Sequence, residues 1–209
     1  MKNLCIVGAR GFGREICSIA FECLGYGRDF VVKGFLDDKR DALDCFHDYP
    51  PILGSVEDYD ICVDDVFFVA IGDVRWRRHY AEMIVRKGGS FLTLVHRDAH
   101  VGKTVSVGDG VFVGRSASLS VDISVGNHVC IMDCSIIGHD CSLGDFSHVS
   151  VQCFLGGGVA LGECVTLHPG ARVAPHKKIG EGAVVGIGSV VMSNVRAHKT
   201  VFGVPAMPL

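Results

Sequence analysis

The chain of 209 residues lacks several features that mark particular protein classes. It has one Trp, four Tyr and six Pro, and no run of about 18 apolar residues indicates a membrane-spanning helix. Its net charge of −3 does not favour binding to nucleic acid or an anionic membrane. The first residues, MKNLCIVGARGFGREI, lack the apolar core and cleavage site of a signal peptide. We therefore expect a globular cytoplasmic protein.

Cysteine and glycine are both frequent, with 10 and 27 residues. No two cysteines form a CxxC pair, and Cys130 and Cys134 have no second pair at zinc-ribbon spacing. In a reducing compartment most of them should be small buried hydrophobic residues. Abundant glycine with few aromatic residues favours a tightly turning backbone repeat.

A repeat of six residues runs through the second half of the chain. Every sixth residue from Val101 to Val191 is Val, Ile or Leu, sixteen in all. At 48% apolar residues, chance would give this about once in a hundred thousand trials. Ten of the next residues are Gly, and the fourth residue after each aliphatic is usually small or β-branched.

This period predicts a hexapeptide β-helix, in which each hexad forms one short strand and one corner. Three hexads close a triangular coil, with the aliphatic side chain inside and the glycine relieving crowding at the turn. Residues 95–196 contain 17 hexads without an insertion, which corresponds to five to six coils.

The first 94 residues have a different pattern. Short apolar segments at 4–7, 30–36, 66–71 and 91–94 read as strands, and segments 14–24 and 75–87 read as helices. Alternating strands and helices predict a small Rossmann-like parallel α/β domain over residues 1–94. The β-helix domain would then occupy residues 95–209.

Parallel α/β domains bind ligands at the carboxyl ends of their strands. The residues that fall at such ends are Gly8, Arg10, Gly11, Asp37, Asp38, Gly72 and Asp73. The turn Gly8-Ala-Arg-Gly11-Phe-Gly13 resembles a phosphate-binding turn, but its spacing is GxxGxG rather than GxGxxG. Asp37 also lies 29 residues beyond Gly8 instead of about 20. The pattern favours a mononucleotide or nucleotide-sugar over the dinucleotide of a dehydrogenase, with a plain tight turn as the alternative.

Candidate catalytic groups lie in the segment SIIGHDCSLGDFSHVS. His139 and Asp140 are the second and third residues after the inward Ile137, and His148 ends the next hexad, so all three lie outside the core. In a trimer of prisms such outward groups would line three equivalent clefts between subunits. A histidine there can act as a general base oriented by a neighbouring carboxylate. The alternative is a surface or subunit-contact histidine, as we expect for most of the others, including His100, His128, His168 and His176.

Five motifs carry a family resemblance over essentially the whole chain: IVGARGFGREI, GFLDD, AIGD, SIIGHDCSLGDFSHVS and VFGVPA. In this order they resemble the bacterial nucleotide-sugar N-acetyltransferases and the sialic-acid O-acetyltransferase-like proteins (PglD and NeuD type). These belong to the hexapeptide acyltransferase superfamily, so the resemblance implies a left-handed parallel β-helix.

The resemblance also implies a role for each site residue. His139 would be the general base and Asp140 would raise its basicity, while His148 would line the acetyl pocket. Acetyl-CoA, the co-substrate, would lie in a groove bordered by Gly157, Pro169 and Ile187. The nucleotide-sugar would be held by Gly8, Arg10, Gly11, Asp37, Asp38 and Gly72. No metal would be required.

The expected reaction transfers an acetyl group to the amine of a UDP- or dTDP-linked 4-amino-4,6-dideoxy sugar, in a homotrimer that serves glycan or O-antigen precursor synthesis. One alternative is a sialic-acid-type O-acetyltransferase. A second is a gamma-type zinc carbonic anhydrase, against which the nine-residue separation of His139 and His148 argues. A third is a non-catalytic nucleotide-binding trimeric scaffold.

Overall fold

A computed structural model describes residues 1–209. The chain forms two compact units, Met1–Leu94 and Val95–Leu209. It has only two helices, and neither is long and apolar enough to cross a membrane.

The first unit is a four-stranded parallel sheet with two helices. The strand order is β3-β2-β1-β4, so β1 lies in the interior of the sheet with a partner on each side. Its elements are β1 (Lys2–Val7), α1 (Gly11–Ala20), β2 (Phe30–Leu36), β3 (Ile52–Gly54), β4 (Asp65–Val69) and α2 (Val74–Arg86). The Rossmann-like prediction is confirmed.

One strand of this unit was wrongly predicted. Residues 91–94 add no strand to this sheet, since Phe91 makes only an isolated bridge to Phe67, whereas Leu94 begins the short strand Leu94–Val95 of the second unit and so leads into the coils as predicted. The strand that completes the four-stranded sheet is instead β3, which begins directly after Pro51. A three-residue strand is too short to show an alternating pattern, which explains why the sequence does not reveal it.

Glycine allows α1 to pack closely against β1. A Cβ at Gly13 would lie 1.8 Å from the carbonyl oxygen of Gly8. The apolar face of the helix, which includes Ile16 and Ala20, is buried. The carboxyl end of β1 therefore leads directly into the amino terminus of α1.

The second unit is a parallel β-helix with three faces, which confirms the predicted solenoid. The first face has β6 (His100–Val101), β9 (Ser118–Leu119), β12 (Ile136–Ile137), β15 (Phe154–Leu155), β18 (Arg172–Val173) and β21 (Val190–Val191). The second face has β7 (Ser106–Val107), β10 (Ser124–Val125), β13 (Ser142–Leu143), β16 (Ala160–Leu161) and β19 (Lys178–Ile179). The third face has β5 (Leu94–Val95), β8 (Phe112–Val113), β11 (Cys130–Ile131), β14 (His148–Val149), β17 (Thr166–Leu167), β20 (Val184–Val185), β22 (Thr200–Phe202) and β23 (Met207–Pro208).

The core of the solenoid follows the six-residue repeat. All sixteen repeating aliphatics belong to it; Val101 and Val107, in the first coils, are only partly buried. The fourth residue after each aliphatic also points inward, as the buried Cys141 and Ser147 show. The glycines after the aliphatics touch the next coil: a Cβ at Gly144 would lie 2.5 Å from the carbonyl carbon of Gly162.

Most corners contain one residue with left-handed backbone geometry, three positions after the inward aliphatic. Many of these residues are not glycine, including Asp140 with φ 58° and Phe146 with φ 60°. Such a conformation is unfavourable for most L-residues. It is held by a ladder of hydrogen bonds between coils, in which the Phe146 N–H donates to the Asn127 carbonyl at 2.8 Å.

The solenoid extends beyond residue 196. Successive strands of one face are normally 18 residues apart, as with Ser124 and Ser142, but Val184 pairs with Thr200. The last coil is therefore two residues shorter, and β22 closes it before β23 pairs antiparallel. The hexad count ends early because the shortened coil breaks the period.

Candidate active site

His139 and Asp140 form an ion-pair-like contact on an outer corner of the solenoid. This corner consists of residues 138–141 and joins β12 of the first face to β13 of the second face. The Nδ1 atom of His139 lies 2.6 Å from Oδ2 of Asp140, and the two side chains are 60% and 65% exposed in the isolated chain. A neutral imidazole that donates from Nδ1 to the carboxylate carries its lone pair on Nε2. The corner thus offers a basic nitrogen to solvent.

The backbone of this pair is fixed by the neighbouring coils. The His139 carbonyl accepts a hydrogen bond from the Gly158 N–H at 2.8 Å, and the Asp140 N–H donates to the Val121 carbonyl at 3.1 Å. Asp140 has φ 58°, a region that Asp tolerates better than most residues. The position of the two residues on the corner is therefore fixed by the backbone of the solenoid.

Gly157 lies one coil further on, at the corresponding position of the corner. A Cβ at this residue would lie 2.6 Å from Nε2 and from Cε1 of the His139 ring. Any other residue would displace the imidazole. The N–H of Gly157 donates to no group of the protein, whereas those of Gly156 and Gly158 both donate to carbonyl groups of adjacent coils.

The other residues predicted for the acetyl-CoA site lie elsewhere on the solenoid. His148 lies on β14 in the third face, beyond the corner that follows β13. Pro169 and Ile187 lie on the corner between the third and first faces, one coil apart, and Ile187 is 63% exposed. In a single chain, only Gly157 of the predicted acetyl-CoA residues lies on the same corner as His139.

No group of three His, Cys, Asp or Glu side chains in the chain is arranged to hold a metal ion. Six of the ten cysteines are buried, and none is in a disulfide.

A cleft of about 670 Å³ lies in the first unit. Five of the six predicted nucleotide-sugar residues line it, and only Gly11 does not; the five are Gly8, Arg10, Asp37, Asp38 and Gly72. They follow β1, β2 and β4 at their carboxyl ends. The chain leaves β1 for β2 on one side and later returns to β4 on the other, so the cleft is at the point where strand order reverses.

The two aspartates after β2 differ in their contacts. Asp37 is bound through both oxygens, since Oδ2 accepts from the Ala9 N–H at 2.8 Å and Oδ1 from the Lys39 N–H at 2.9 Å. It therefore shapes the turn between β1 and α1. Asp38 is exposed and accepts only from the Tyr80 hydroxyl, at 2.8 Å. Burial, together with this carboxylate, raises the pKa of Tyr80 to about 12.

Sequence reasoning missed Trp76 and Tyr80, which lie on α2 and line the cleft. Trp76 is 52% exposed, and its ring centroid is 6.3 Å from that of Tyr80. The segment Arg75–His79 contains three arginines, which is typical of a solvated helix face. The helical spacing of Trp76 and Tyr80, which places them on one face, was the available signal.

An ion pair with a buried carboxylate holds the sheet on the side of β4. The side chain of Asp65 is fully buried and lies 2.8 Å from Nζ of Lys33, and it also accepts from the Tyr59 hydroxyl at 2.7 Å and the Cys62 N–H at 2.9 Å. Burial would raise the pKa of Asp65, but the hydrogen bonds from Lys33 and Cys62 outweigh it and hold that pKa below its usual value. The group ties the loop before β4 to β2.

Both units of the chain match families of known proteins. Residues 3–84 match the family model of the PglD N-terminal domain, and residues 92–184 match that of the GMPPB C-terminal domain. The acetyltransferase domain of PglB from Neisseria gonorrhoeae, solved with acetyl coenzyme A, has a TM-score of 0.90 and 28% identity over 100% of this chain and 99% of that one. Each family model matches less than half of the chain, and together with the solved structure they show that the chain is similar to PglD-type hexapeptide acyltransferases. The resemblance found in the sequence is confirmed.

Two further relatives are informative about the PglD-type group. PerB from Caulobacter crescentus, solved with CoA and GDP-perosamine, has a TM-score of 0.87 and 27% identity over 100% of this chain and 98% of that one. A UDP-N-acetylbacillosamine N-acetyltransferase from Bacillus subtilis is 30% identical over 115 residues, which are 54% of this chain and 51% of that protein. The match thus spans about half the length of this curated relative.

Proposed function

We propose that this protein transfers the acetyl group of acetyl-CoA to the amine of a nucleotide-linked amino sugar. The observation that carries the proposal is the His139–Asp140 contact of 2.6 Å on a corner where the Gly157 N–H has no partner in the protein. A general base and a free donor for a developing oxyanion are what acyl transfer needs. The solved relatives that bind acetyl coenzyme A, or CoA with GDP-perosamine, support it.

The proposed step is a direct attack of the amine on the thioester. The nitrogen lone pair forms a bond to the acetyl carbon while Nε2 of His139 takes a proton from the amine. The C–S bond then breaks, and the sulfur leaves as the thiolate of CoA, which takes up that proton. Asp140 stabilises the imidazolium in between, as the carboxylate does in a catalytic triad. No acetyl-enzyme is needed when one cleft holds both substrates.

The first unit would bind the nucleotide part of the sugar substrate. The amino terminus of α1 opens beside the cleft, with no acidic residue in its first turn and no side chain capping it. Free N–H groups at a helix amino terminus suit a diphosphate, and Arg10 at the same end adds positive charge. The unshared oxygen of Asp38 would accept from a ribose hydroxyl. Trp76 would stack on the base.

The nucleotide and the sugar are a finer part of the proposal. We retain a UDP- or dTDP-linked 4-amino-4,6-dideoxy sugar as the substrate. The Bacillus subtilis relative, which is named for a UDP-sugar, supports UDP as the nucleotide. GDP is the main alternative, because PerB was solved with GDP-perosamine. A cytoplasmic site of action, supplying glycan or O-antigen precursors, stays a prediction.

A homotrimer would complete the site. His139 and Gly157 lie on one corner of the solenoid, whereas Pro169 and Ile187 lie on another, so one copy cannot place all four along a single groove. Neighbouring copies would bring the two corners together. The first face also exposes Ile136 and Phe154, at 49% and 43%, as side chains that subunit contact could bury. Sedimentation of the purified protein tests this, and a monomer with full activity would contradict it.

The experiment that tests the function is thiol release from acetyl-CoA with a panel of acceptors. The panel holds UDP-, dTDP- and GDP-linked 4-amino sugars, and sialic acid represents a hydroxyl acceptor. Turnover with one amino sugar is expected. Turnover only with the hydroxyl acceptor would instead indicate an O-acetyltransferase. Tight nucleotide binding without any turnover would indicate a scaffold, and bound zinc with CO₂ hydration would indicate a carbonic anhydrase.

A further inference from the structure

The glycine turn beside His139 contains one peptide group that forms a hydrogen bond through its carbonyl and none through its N–H. This group joins the Gly156 carbonyl to the Gly157 N–H, and it is trans. The carbonyl oxygen accepts a hydrogen bond from Sγ of Cys141 at 3.3 Å and from nothing else. The N–H donates to nothing in the protein. The Cys141 thiol is therefore the sole hydrogen-bonding partner of this peptide.

The direction of the N–H follows from the geometry of the peptide. In a trans peptide the C=O and N–H bonds point in opposite directions. Cys141 is 1% exposed and belongs to the core of the solenoid, so its thiol holds the Gly156 carbonyl toward the core. The Gly157 N–H then points outward from the core. Gly157 is also the residue whose vacant Cβ position faces the His139 ring.

The same contact occurs at other corners with other residues. Ser135 donates to the Ser150 carbonyl at 2.8 Å, and Cys153 donates to the His168 carbonyl at 3.3 Å. Holding one coil to the next is thus the general purpose of a small polar residue at this position. After His168 comes Pro169, whose nitrogen has no hydrogen. The contacts of Ser135 and of Ser147, which donates to the Gly162 carbonyl at 3.0 Å, are followed by Val151 and Glu163, and the residues 18 positions before these are Asp133 and Asp145, neither of which is next to a histidine. Of these contacts, the one made by Cys141 therefore has an N–H beside a histidine–carboxylate pair.

We propose that Cys141 is a positioning residue for acetyl transfer, holding the Gly156–Gly157 peptide so that the Gly157 N–H faces the acetyl oxygen. This inference rests on the proposed function. As negative charge grows on that oxygen, the N–H donates to it without first having to reorient, which is the condition for effective oxyanion stabilisation. The thiol remains a donor at neutral pH because burial raises the pKa of Cys141.

Three variants test the role in turnover. Cys141→Ala removes the donor and should lower kcat about tenfold, less than the loss of a whole oxyanion donor, with KM changed less than about twofold. Cys141→Ser keeps a hydroxyl donor and should restore kcat to within about twofold. Cys153→Ala removes the matched thiol contact and should leave kcat unchanged, although its melting temperature should fall as that of Cys141→Ala does. Equal kcat values for the two alanine variants, or no rescue by serine, would overturn the proposal.

A second measurement separates this inference from the proposed function, because it needs no acetyl acceptor. In protein labelled with ¹⁵N-glycine, the Gly157 amide signal should shift and exchange with water at a different rate in Cys141→Ala. It should be unchanged in Cys153→Ala. An unmoved Gly157 signal in Cys141→Ala would overturn the inference even if the enzyme is active. A moved signal without turnover on any acceptor would refute the reaction alone.

Discussion

The two units assemble their candidate sites in different ways. In the first unit, residues from three distant segments, Gly8, Asp38 and Gly72, meet because parallel strands end at the same edge of a sheet. In the second unit, His139 and Asp140 are adjacent in the chain, and Gly157 lies beside them because each coil advances by 18 residues. A sheet edge brings together separate loops, whose conformations can vary. A solenoid corner repeats one rigid turn and fixes a side chain within it. We therefore expect binding to depend on the first unit and reaction on the second.

The largest effect is expected for His139→Ala. It removes the proposed base and should lower kcat at least about a hundredfold. Binding of the nucleotide-sugar, measured by calorimetry, should be unchanged because the cleft proposed to bind it belongs to the first unit. His176→Ala is a matched control, since His176 is exposed on the same corner two coils away. Near-normal turnover in His139→Ala would refute the assignment of the base.

Gly157→Ala tests whether the corner positions the imidazole. The new methyl would collide with Nε2 of His139, at 2.6 Å, and misplacing a catalytic group by about 1 Å can cost up to about a hundredfold in rate. We expect kcat to fall about thirtyfold. In the double variant with His139→Ala the two losses should not add, because both act through the same ring. Additive losses would mean that Gly157 acts independently of His139.

Asp65→Asn tests the stability of the sheet unit. The Asp65 carboxylate is fully buried but Lys33 is 30% exposed, so the substitution leaves a partly solvated ammonium without its counter-ion and should cost about 2 kcal/mol in denaturant unfolding. Asp64→Asn removes an exposed pair with Lys2, 3.5 Å apart, and should change stability by less than about 0.5 kcal/mol. Equal losses of unfolding free energy in the two variants would show that the Asp65–Lys33 pair stabilises the protein no more than an exposed pair does.

The pH dependence of the same group has a defined sign. Because the pKa of folded Asp65 lies below the ordinary value of 3.8, its carboxylate stabilises the fold above that value. This stabilisation is lost as pH falls through the depressed pKa. The wild type should therefore lose stability below about pH 4 more steeply than Asp65→Asn. Parallel curves for the two proteins would contradict this.

Tyr80→Phe should have the smallest effect. It removes the 2.8 Å hydrogen bond to Asp38, and one such bond contributes about 1 kcal/mol. We expect KM for the nucleotide-sugar to rise about fivefold while kcat stays constant. Tyr26→Phe, in the same unit but away from the cleft, is the control and should leave both constants unchanged. A fall in kcat for Tyr80→Phe would place this tyrosine in the reaction.

The sequence predicted the solenoid almost completely, because a side chain that must stack on its equivalent in the next coil imposes a strict period. The end of the solenoid was missed where the last coil loses two residues before Val195 and Val201 resume the buried column. The short strand β3 was missed for a related reason, since three residues carry too little pattern to be read.

The sites were predictable to different degrees. His139 and Asp140 were singled out by the family resemblance, because polar pairs also occupy other corners of the repeat, as Asn127 and His128 do. The contribution of Trp76 and Tyr80 depends on how α2 lies against the sheet, which no local pattern encodes. The link from Cys141 to Gly156 joins residues 15 positions apart through the core, and it becomes visible only once the coils are stacked.

The central claim is that one unit holds the nucleotide while the corner of the other performs the reaction. The most direct test compares kcat/KM for the nucleotide-linked amino sugar with that for the same amino sugar without its nucleotide, measured by thiol release from acetyl-CoA. The account predicts that kcat/KM falls at least about a hundredfold without the nucleotide, since binding energy from the remote part of the substrate is lost. Equal kcat/KM for the two acceptors would contradict it.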